Sequence, residues 1–200
     1  VYKRQIVLNT SGVALTDRIV TDSALRPGDK IVVTGTMGDH GLAVMACRNE
    51  LDLQTELRSD VAPLNGLMRR VLDVAGEDLR AAKDPTRGGL SSALHEMADK
   101  SAVGIVIDET AVPVRDEVRS VGELLGIDPL LVANEGKAVL GLRPAAVDGV
   151  LDALRAHPLG RDAALVGECV DERPGMVVLD TGFGSRLLSE AEGELLPRIC

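Results

Sequence analysis

Short apolar runs alternate with helical periodicities along most of this chain, and that alternation restricts it to a layered fold of strands and helices. Ile31-Val32-Val33 reads as a buried strand after a turn at Arg26-Pro27-Gly28-Asp29. A glycine-rich loop follows, then a helix over roughly 41–49. Leu64, Leu67, Met68, Val71, Leu72 and Ala75 recur at helical spacing, with Pro63 close to the first turn. Leu90, Leu94, Met97 and Ala98 predict a further helix, Val118, Val121 and Leu125 another, and Val147, Val150, Leu151 and Leu154 one more after Pro144. Between them lie strand-like runs at Gly104–Ile107, Ala138–Leu142 and Ala164–Val166. Met176–Leu179 and Phe183–Leu188 read as a closing hairpin. This pattern alone does not separate a parallel, doubly wound sheet from a mixed one.

The only aromatic residues are Tyr2 and Phe183, so the core has to be built from Leu, Val, Ile, Ala and Met. There is no set of rings on which nucleobases could stack. Lys and Arg total 22 against 31 Asp and Glu, a formal net charge of −9, which repels phosphate backbones and argues against nucleic acid as a partner. No apolar run approaches the roughly 20 residues of a membrane helix, and no signal-peptide pattern stands at the start. Cys47, Cys169 and Cys200 are too few and too scattered for a disulfide framework or a zinc site, which reads as a reducing cytoplasm. The chain begins with Val1, and residues 1–5 read as a scar or a break inside a longer protein. Residues 6–22, with the strand-like Ile6-Val7-Leu8, read as the tail of an earlier element.

Four segments have the makings of chemistry. Gly35-Thr36-Met37-Gly38-Asp39-His40-Gly41 lies between a strand and a helix. It either cradles an anion on backbone N–H groups or is a tight turn with Asp39 near the cap, and its spacing is neither the dinucleotide fingerprint nor a Walker A loop. His40 is a candidate proton donor or a surface group. Asp84-Pro85-Thr86-Arg87-Gly88-Gly89 offers a carboxylate, a hydroxyl, a forked guanidinium and two permissive glycines before a helix. Asp84 or Thr86 is alternatively a helix cap. Asn134-Glu135-Gly136-Lys137 puts a carboxylate at a strand mouth, suited to general-base work, or forms a turn with an exposed Glu–Lys pair. Leu196-Pro197-Arg198-Ile199-Cys200 ends in a nucleophile whose thiolate the adjacent α-carboxylate disfavours and Arg198 favours. Turn chemistry accounts for two further loops, Ser59–Gly66 and His157–Asp162.

Taken in order, these words resemble the HypE family of hydrogenase maturation proteins, in the superfamily of aminoimidazole ribonucleotide synthetase (PurM-like proteins) and selenophosphate synthetase. The match comprises Gly38–Gly41, Ser59–Asn65, Asp84–Leu90, Asn134–Lys137, His157–Ala163 and the terminal Pro197–Cys200. The resemblance implies an α+β, PurM-like C-terminal domain with a mixed sheet and helices mainly on one face, rather than a doubly wound sheet. It implies that 1–22 is a remnant of a preceding ATP-binding domain, 23–190 the domain itself, and 191–200 a carrier tail. By the same resemblance, a carbamoyltransferase, HypF, loads Cys200 with a carbamoyl group. ATP-dependent dehydration then gives a thiocyanate, whose cyanide passes to iron on a HypC–HypD complex and becomes a ligand of nickel–iron hydrogenase.

Cys200 is then the carrier and Glu135 the base. Gly38, His40, Asp84, Thr86, Arg87, Gly88, Gly89, Asn134 and Lys137 line the substrate and phosphates, with Arg87 an anion contact and Asp84 a structural or metal-side carboxylate. Magnesium, most of the ATP contacts and the homodimer surface fall to the preceding domain, so that this chain holds no metal ligands of its own and is inactive alone. Two alternatives are another ATP-dependent member of the superfamily, of the selenophosphate synthetase or thiamine-phosphate kinase type, and a non-catalytic docking module. The terminal cysteine speaks against the first.

Overall fold

The computed structural model describes residues 9, 11–13, 15–48 and 57–190. The strand expected at Ile6–Leu8 and the tail carrying Cys200 lie outside the described residues. Among the described residues, the strands are β1 (Lys30–Val33), β2 (Leu79–Lys83), β3 (Gly104–Asp108), β4 (Val139–Leu142), β5 (Ala164–Val170), β6 (Val177–Asp180) and β7 (Ser185–Leu187). The α-helices are α1 (Asp39–Arg48), α2 (Asn65–Ala75), α3 (Gly89–Ser101), α4 (Asp116–Leu125) and α5 (Val147–Arg155). All the strands belong to one sheet of order β2-β4-β1-β5-β3-β6-β7. β3 and β6 run parallel and every other neighbouring pair is antiparallel, the mixed α+β sheet the resemblance implies.

β1 reads as a continuous apolar run because both of its faces are covered. Ile31 and Val33 pack with Leu90, Leu94 and Met97 of α3. Val32 points the other way and packs with Leu67 and Val71 of α2 and Val150 and Leu154 of α5. β4 alternates in the same manner, Val139 joining the first cluster and Leu140 the second. Each such buried side chain contributes about 1.5–3 kcal/mol relative to exposure. The expectation of helices mainly on one face therefore needs correction over β2, β4 and β1. The apolar stripes of α2 and α5 are each too wide to leave in water, and they bury against one another and this second face. Beyond β1 that face opens: Leu165, opposite Val32 in the register, is 41% exposed.

β2 has no counterpart in the sequence reading. Leu79-Arg80-Ala81-Ala82-Lys83 contains no β-branched or aromatic residue, so its composition does not mark a strand. Pairing with β4 makes it one, and Thr21, outside the sheet, accepts the Ala82 N–H. Arg18 fastens the same approach segment by donating to the carbonyls of Gly76 and Leu79. The closing hairpin is present as β6 and β7, with Phe183 fully exposed at its turn. Tyr2 lies outside the described residues, so the described core is aliphatic throughout. Among the described residues no helix is long and apolar enough to cross a membrane.

Cys47 is exposed near the end of α1, whereas Cys169 is buried in β5. Burial, reinforced by the carboxylates of Asp29 and Glu168, pushes the Cys169 thiol from 9.0 up to about 12. Because the folded value lies above the unfolded one, this preference favours the fold below pH 9 and is lost as the pH rises toward 12. Thiol labelling at pH 8 is expected to modify Cys47 within minutes and to spare Cys169 until the protein unfolds. Equal labelling rates for the two, read by peptide mass, would contradict this burial.

Candidate active site at one end of the sheet

The sheet order explains why words far apart in sequence meet. β4 lies between β2 and β1 and runs antiparallel to both, with Val139 opposite Val33 on one side and Lys83 on the other. The loop entering β4, Asn134–Lys137, is therefore flanked by the loops leaving β1 and β2. Val33 also pairs with Ala164, which brings the His157–Asp162 loop to the same end. Thr34 seals the join: its N–H donates to the Ala138 carbonyl at 3.0 Å, and its hydroxyl accepts the Ala138 N–H at 2.9 Å.

Asn134, 1% exposed, ties three loops together. Its N–H donates to the Pro85 carbonyl at 3.0 Å, its Oδ1 accepts the Gly38 N–H at 3.1 Å, and its Nδ2 donates to Asp60 Oδ2 at 2.9 Å. Asp60 is the other hub. It also accepts the Glu135 N–H at 3.0 Å, and its Oδ2 lies 3.4 Å from Lys137 Nζ. The Asp60 and Lys137 side chains are 4% and 11% exposed, so this ion pair is largely withdrawn from water. Lys137 thus pairs with Asp60, and the exposed Glu135–Lys137 turn that the sequence left open is not what forms. The loops approach so closely that a Cβ on Gly136 would stand 1.9 Å from the Asp60 carbonyl oxygen, which only glycine permits.

His40 opens α1 beside this knot. Its Nδ1 lies 2.8 Å from Ser59 Oγ, and its Nε2 lies 4.0 Å from Glu135 Oε1. Asp39, 1% exposed, sits in the first turn of α1, where its negative charge suits the helix dipole. It accepts from the Thr36 hydroxyl and from Arg115 Nε at 2.6 Å, and Arg115 Nη2 reaches on to the Arg58 carbonyl at 3.2 Å. Glu135 is half-buried, so a carboxylate, an imidazole and a buried ammonium–carboxylate pair share one corner.

In the Asp84–Gly89 loop, neither Asp84 nor Thr86 caps α3, which starts from Gly88 in the left-handed region (φ 68°) with no side-chain cap. Gly89 follows at φ 63°, and a Cβ there would lie 2.4 Å from the Val132 carbonyl oxygen. The two glycines let α3 begin tight against the segment that leads to Glu135. Thr86 is half-buried, and Asp84 and Arg87 are exposed. Among the described residues no group of three or more His, Cys, Asp or Glu side chains could hold a metal ion. The His157 loop is structural: His157 Nδ1 accepts the Leu159 N–H. Turn chemistry does not suffice for Ser59–Gly66, because Asp60 and Ser59 are both engaged in the site. Asp60, Ser59, Thr34 and Arg115 escaped the sequence reading. The first two stood in a word already noted, whereas no local signal marks Arg115.

Residues 26–180 match the family model described as AIR synthase related protein, C-terminal domain. The chain is 43% identical to the carbamoyl dehydratase HypE of Rhizobium leguminosarum bv. viciae, over 98% of this chain and 57% of that protein. It thus spans little more than half the length of such curated relatives. A solved structure of the hydrogenase maturation protein HypE in complex with ATP superposes with a TM-score of 0.86 at 40% identity, covering 93% of this chain and 57% of that one. The HypE–HypF complex gives 0.82 at 41% identity, covering 86% and 55%. With the family model spanning most of its length and the mixed sheet in place, this chain belongs to the AIR synthase related protein, C-terminal domain family.

Proposed function

We propose that this chain is the C-terminal domain of a HypE-type carbamoyl dehydratase, serving nickel–iron hydrogenase maturation. In this reading it dehydrates a carbamoyl group on its own Cys200 to a thiocyanate. The observation that carries the reading is the Glu135 corner: a half-buried carboxylate, its backbone fixed by Asp60, with an imidazole within reach. Extensive identity to proteins named carbamoyl dehydratase HypE supports it. ATP, bound chiefly by the preceding domain together with magnesium, supplies the phosphoryl group that turns the amide oxygen into a leaving group. What remains is the removal of protons from nitrogen, which calls for a positioned base, and Glu135 fills that role.

Asn134 and Lys137 hold the base in place rather than touch the nitrogen, and Arg87 offers a forked cation at the loop mouth. Asp84, Thr86, Gly88, Gly89 and Gly38 shape the phosphate side of the same corner. Carrying the substrate on a tethered thiol makes the reaction intramolecular. In the same reading, residues 1–22 are a remnant of the preceding ATP-binding domain, 23–190 the domain itself and 191–200 the carrier tail. HypF as carbamoyl donor, a HypC–HypD complex as acceptor and homodimerisation through the preceding domain complete the proposal.

The test is intact mass of the full-length protein in a Cys47→Ser background, with and without Cys200→Ala, after incubation with the carbamoyltransferase, carbamoyl phosphate and ATP. One added carbamoyl group that then loses water, absent in the Cys200→Ala protein, is expected. No addition to the Cys200-containing protein would overturn the carrier reading and favour a docking module.

A further inference from the structure

Lys83 is the last residue of β2, and Asp84–Gly88 joins it to α3. Its ammonium lies 3.0 Å from Glu96 Oε2 on α3 and 3.4 Å from Asp22 Oδ2. Lys100, one turn beyond Glu96, stands 3.2 Å from Glu96 Oε2 and 2.8 Å from Asp22 Oδ2. Two carboxylates and two ammoniums thus alternate in a closed ring. It ties together the approach segment at Asp22, the end of β2, and α3. Hydrogen bonds from Lys100 to Asp22 and from Lys83 to Glu96 hold both carboxyls below the usual carboxylate range, so both are charged at neutral pH.

Stability does not explain the ring. Ion pairs this near the surface stabilise little, and the approach segment is fastened without them. Arg18 donates to the carbonyls of Gly76 and Leu79, the Thr21 carbonyl accepts the Ala82 N–H, and Ser101 Oγ accepts the Leu25 N–H at 3.2 Å. Leu25 is buried across β4, where Gly141 leaves it room: a Cβ there would stand 2.1 Å from Leu25 Cδ2. Each of those contacts grips either β2, β4 or α3. The ring alone joins the approach segment to both elements that carry Asp84–Gly88, through Lys83 on one side and through Glu96 and Lys100 on the other. The Lys83 and Asp22 side chains are 17% and 25% exposed, so their contact is partly shielded from water.

We propose that this ring sets the register between the preceding ATP-binding domain and the Asp84–Gly89 loop, so that the two halves of the nucleotide site meet correctly. This rests on the reading above, in which residues 1–22 come from that domain and Asp84, Thr86, Gly88 and Gly89 shape the phosphate side. Asp22 is where the incoming chain meets the ring. A displacement of Asp22 pulls on Lys83, the neighbour of Asp84, and on α3, which begins at Gly89. The far flank of the loop is braced separately, by the Asn134 N–H on the Pro85 carbonyl. The loop is therefore held between a fixed point at Asn134 and a point that moves with the incoming chain. Asp22, Lys83, Glu96 and Lys100 act through the loop and are positioning residues.

The experiment is calorimetric titration of ATP with magnesium into the full-length protein, beside single-turnover dehydration of carbamoylated Cys200. Asp22→Ala is expected to raise the Kd for ATP at least about fivefold, the lower end of typical coupling between sites. Its dehydration rate at saturating ATP should stay native. The difference in Kd should shrink at high salt, where the native ring is itself weakened. Lys100→Met, on the exposed side of the ring, should act in the same direction, and the two changes together should cost less than the product of their effects, because they break one contact. Arg18→Ala loosens the same segment at the other end of β2 and spares the ring, so it should bind ATP as the parent does. A native Kd in either Asp22→Ala or Lys100→Met would overturn the register. So would an Arg18→Ala protein impaired as much as Asp22→Ala, since any loosening of the segment would then suffice. If the unsubstituted protein binds no ATP, the dehydratase reading falls and the role of the ring with it. If it binds ATP and never dehydrates the tail, the dehydratase reading falls alone.

Discussion

Replacing Asp60 with alanine is expected to destabilise this domain by about 3–5 kcal/mol, the usual consequence of removing one partner of a buried ion pair. The substitution would leave the Lys137 ammonium largely out of water without its counter-charge. It would also strip the acceptor from Asn134 Nδ2 and from the Glu135 N–H. For a chain of this size each kcal/mol moves the melting temperature by about 2–4 °C, so a fall on the order of 10 °C is expected. Asp60→Asn keeps an acceptor for the Glu135 N–H and should cost less. In a double-mutant cycle, Lys137→Met should recover part of the loss in the Asp60→Ala background, because the stranded charge is then gone. A melting temperature within a degree of the parent would show that the three contacts contribute nothing to stability, and would remove Asp60 as the hub of this corner.

Glu135→Gln is expected to leave the fold intact and the chemistry disabled. The bond that fixes this position uses the backbone N–H, which the substitution retains. Loss of a general base commonly costs about 10²–10⁴ in rate. In the full-length protein, carbamoylation of Cys200 should proceed as before while its conversion to thiocyanate slows by that factor. The contrast with Asp60→Ala is diagnostic: one change acts on stability and the other on a single chemical step. A Glu135→Gln protein that dehydrates at the parental rate would take the base away from this position.

Elements with strong periodicity were legible because their burial pattern is written in residue order. The α5 stripe and the apolar runs of β1 and β4 show which residues leave water, and the α2 stripe does so for Leu67, Val71 and Ala75, while Leu72 at its edge stays 43% exposed. β2 was not legible, because a strand with no β-branched or aromatic residue is made by the neighbour it pairs with and not by its own preferences. The coverage of the second sheet face went unseen for a similar reason: amphipathic stripes reveal that a helix buries a face, but not which surface receives it.

In the site, the residue order by itself supplied the vocabulary: Gly35–Gly41, Asp84–Gly89 and Asn134–Lys137 stood out as loops next to strands or helices, with Glu135 left open between a base and one half of a Glu–Lys turn until the family resemblance favoured the base. It also determined that the core would be aliphatic, since that follows from composition. Only the tertiary structure decided how those words combine. Because β4 lies between β2 and β1, Asn134 meets Pro85 on one side and Gly38 on the other. Asp60, which seemed to serve only a turn, becomes the acceptor for three groups from the facing loop. Its role depends on partners more than 70 positions away, and side-chain electrostatics and hydrogen bonds act over a few ångströms of space, whatever the distance along the chain.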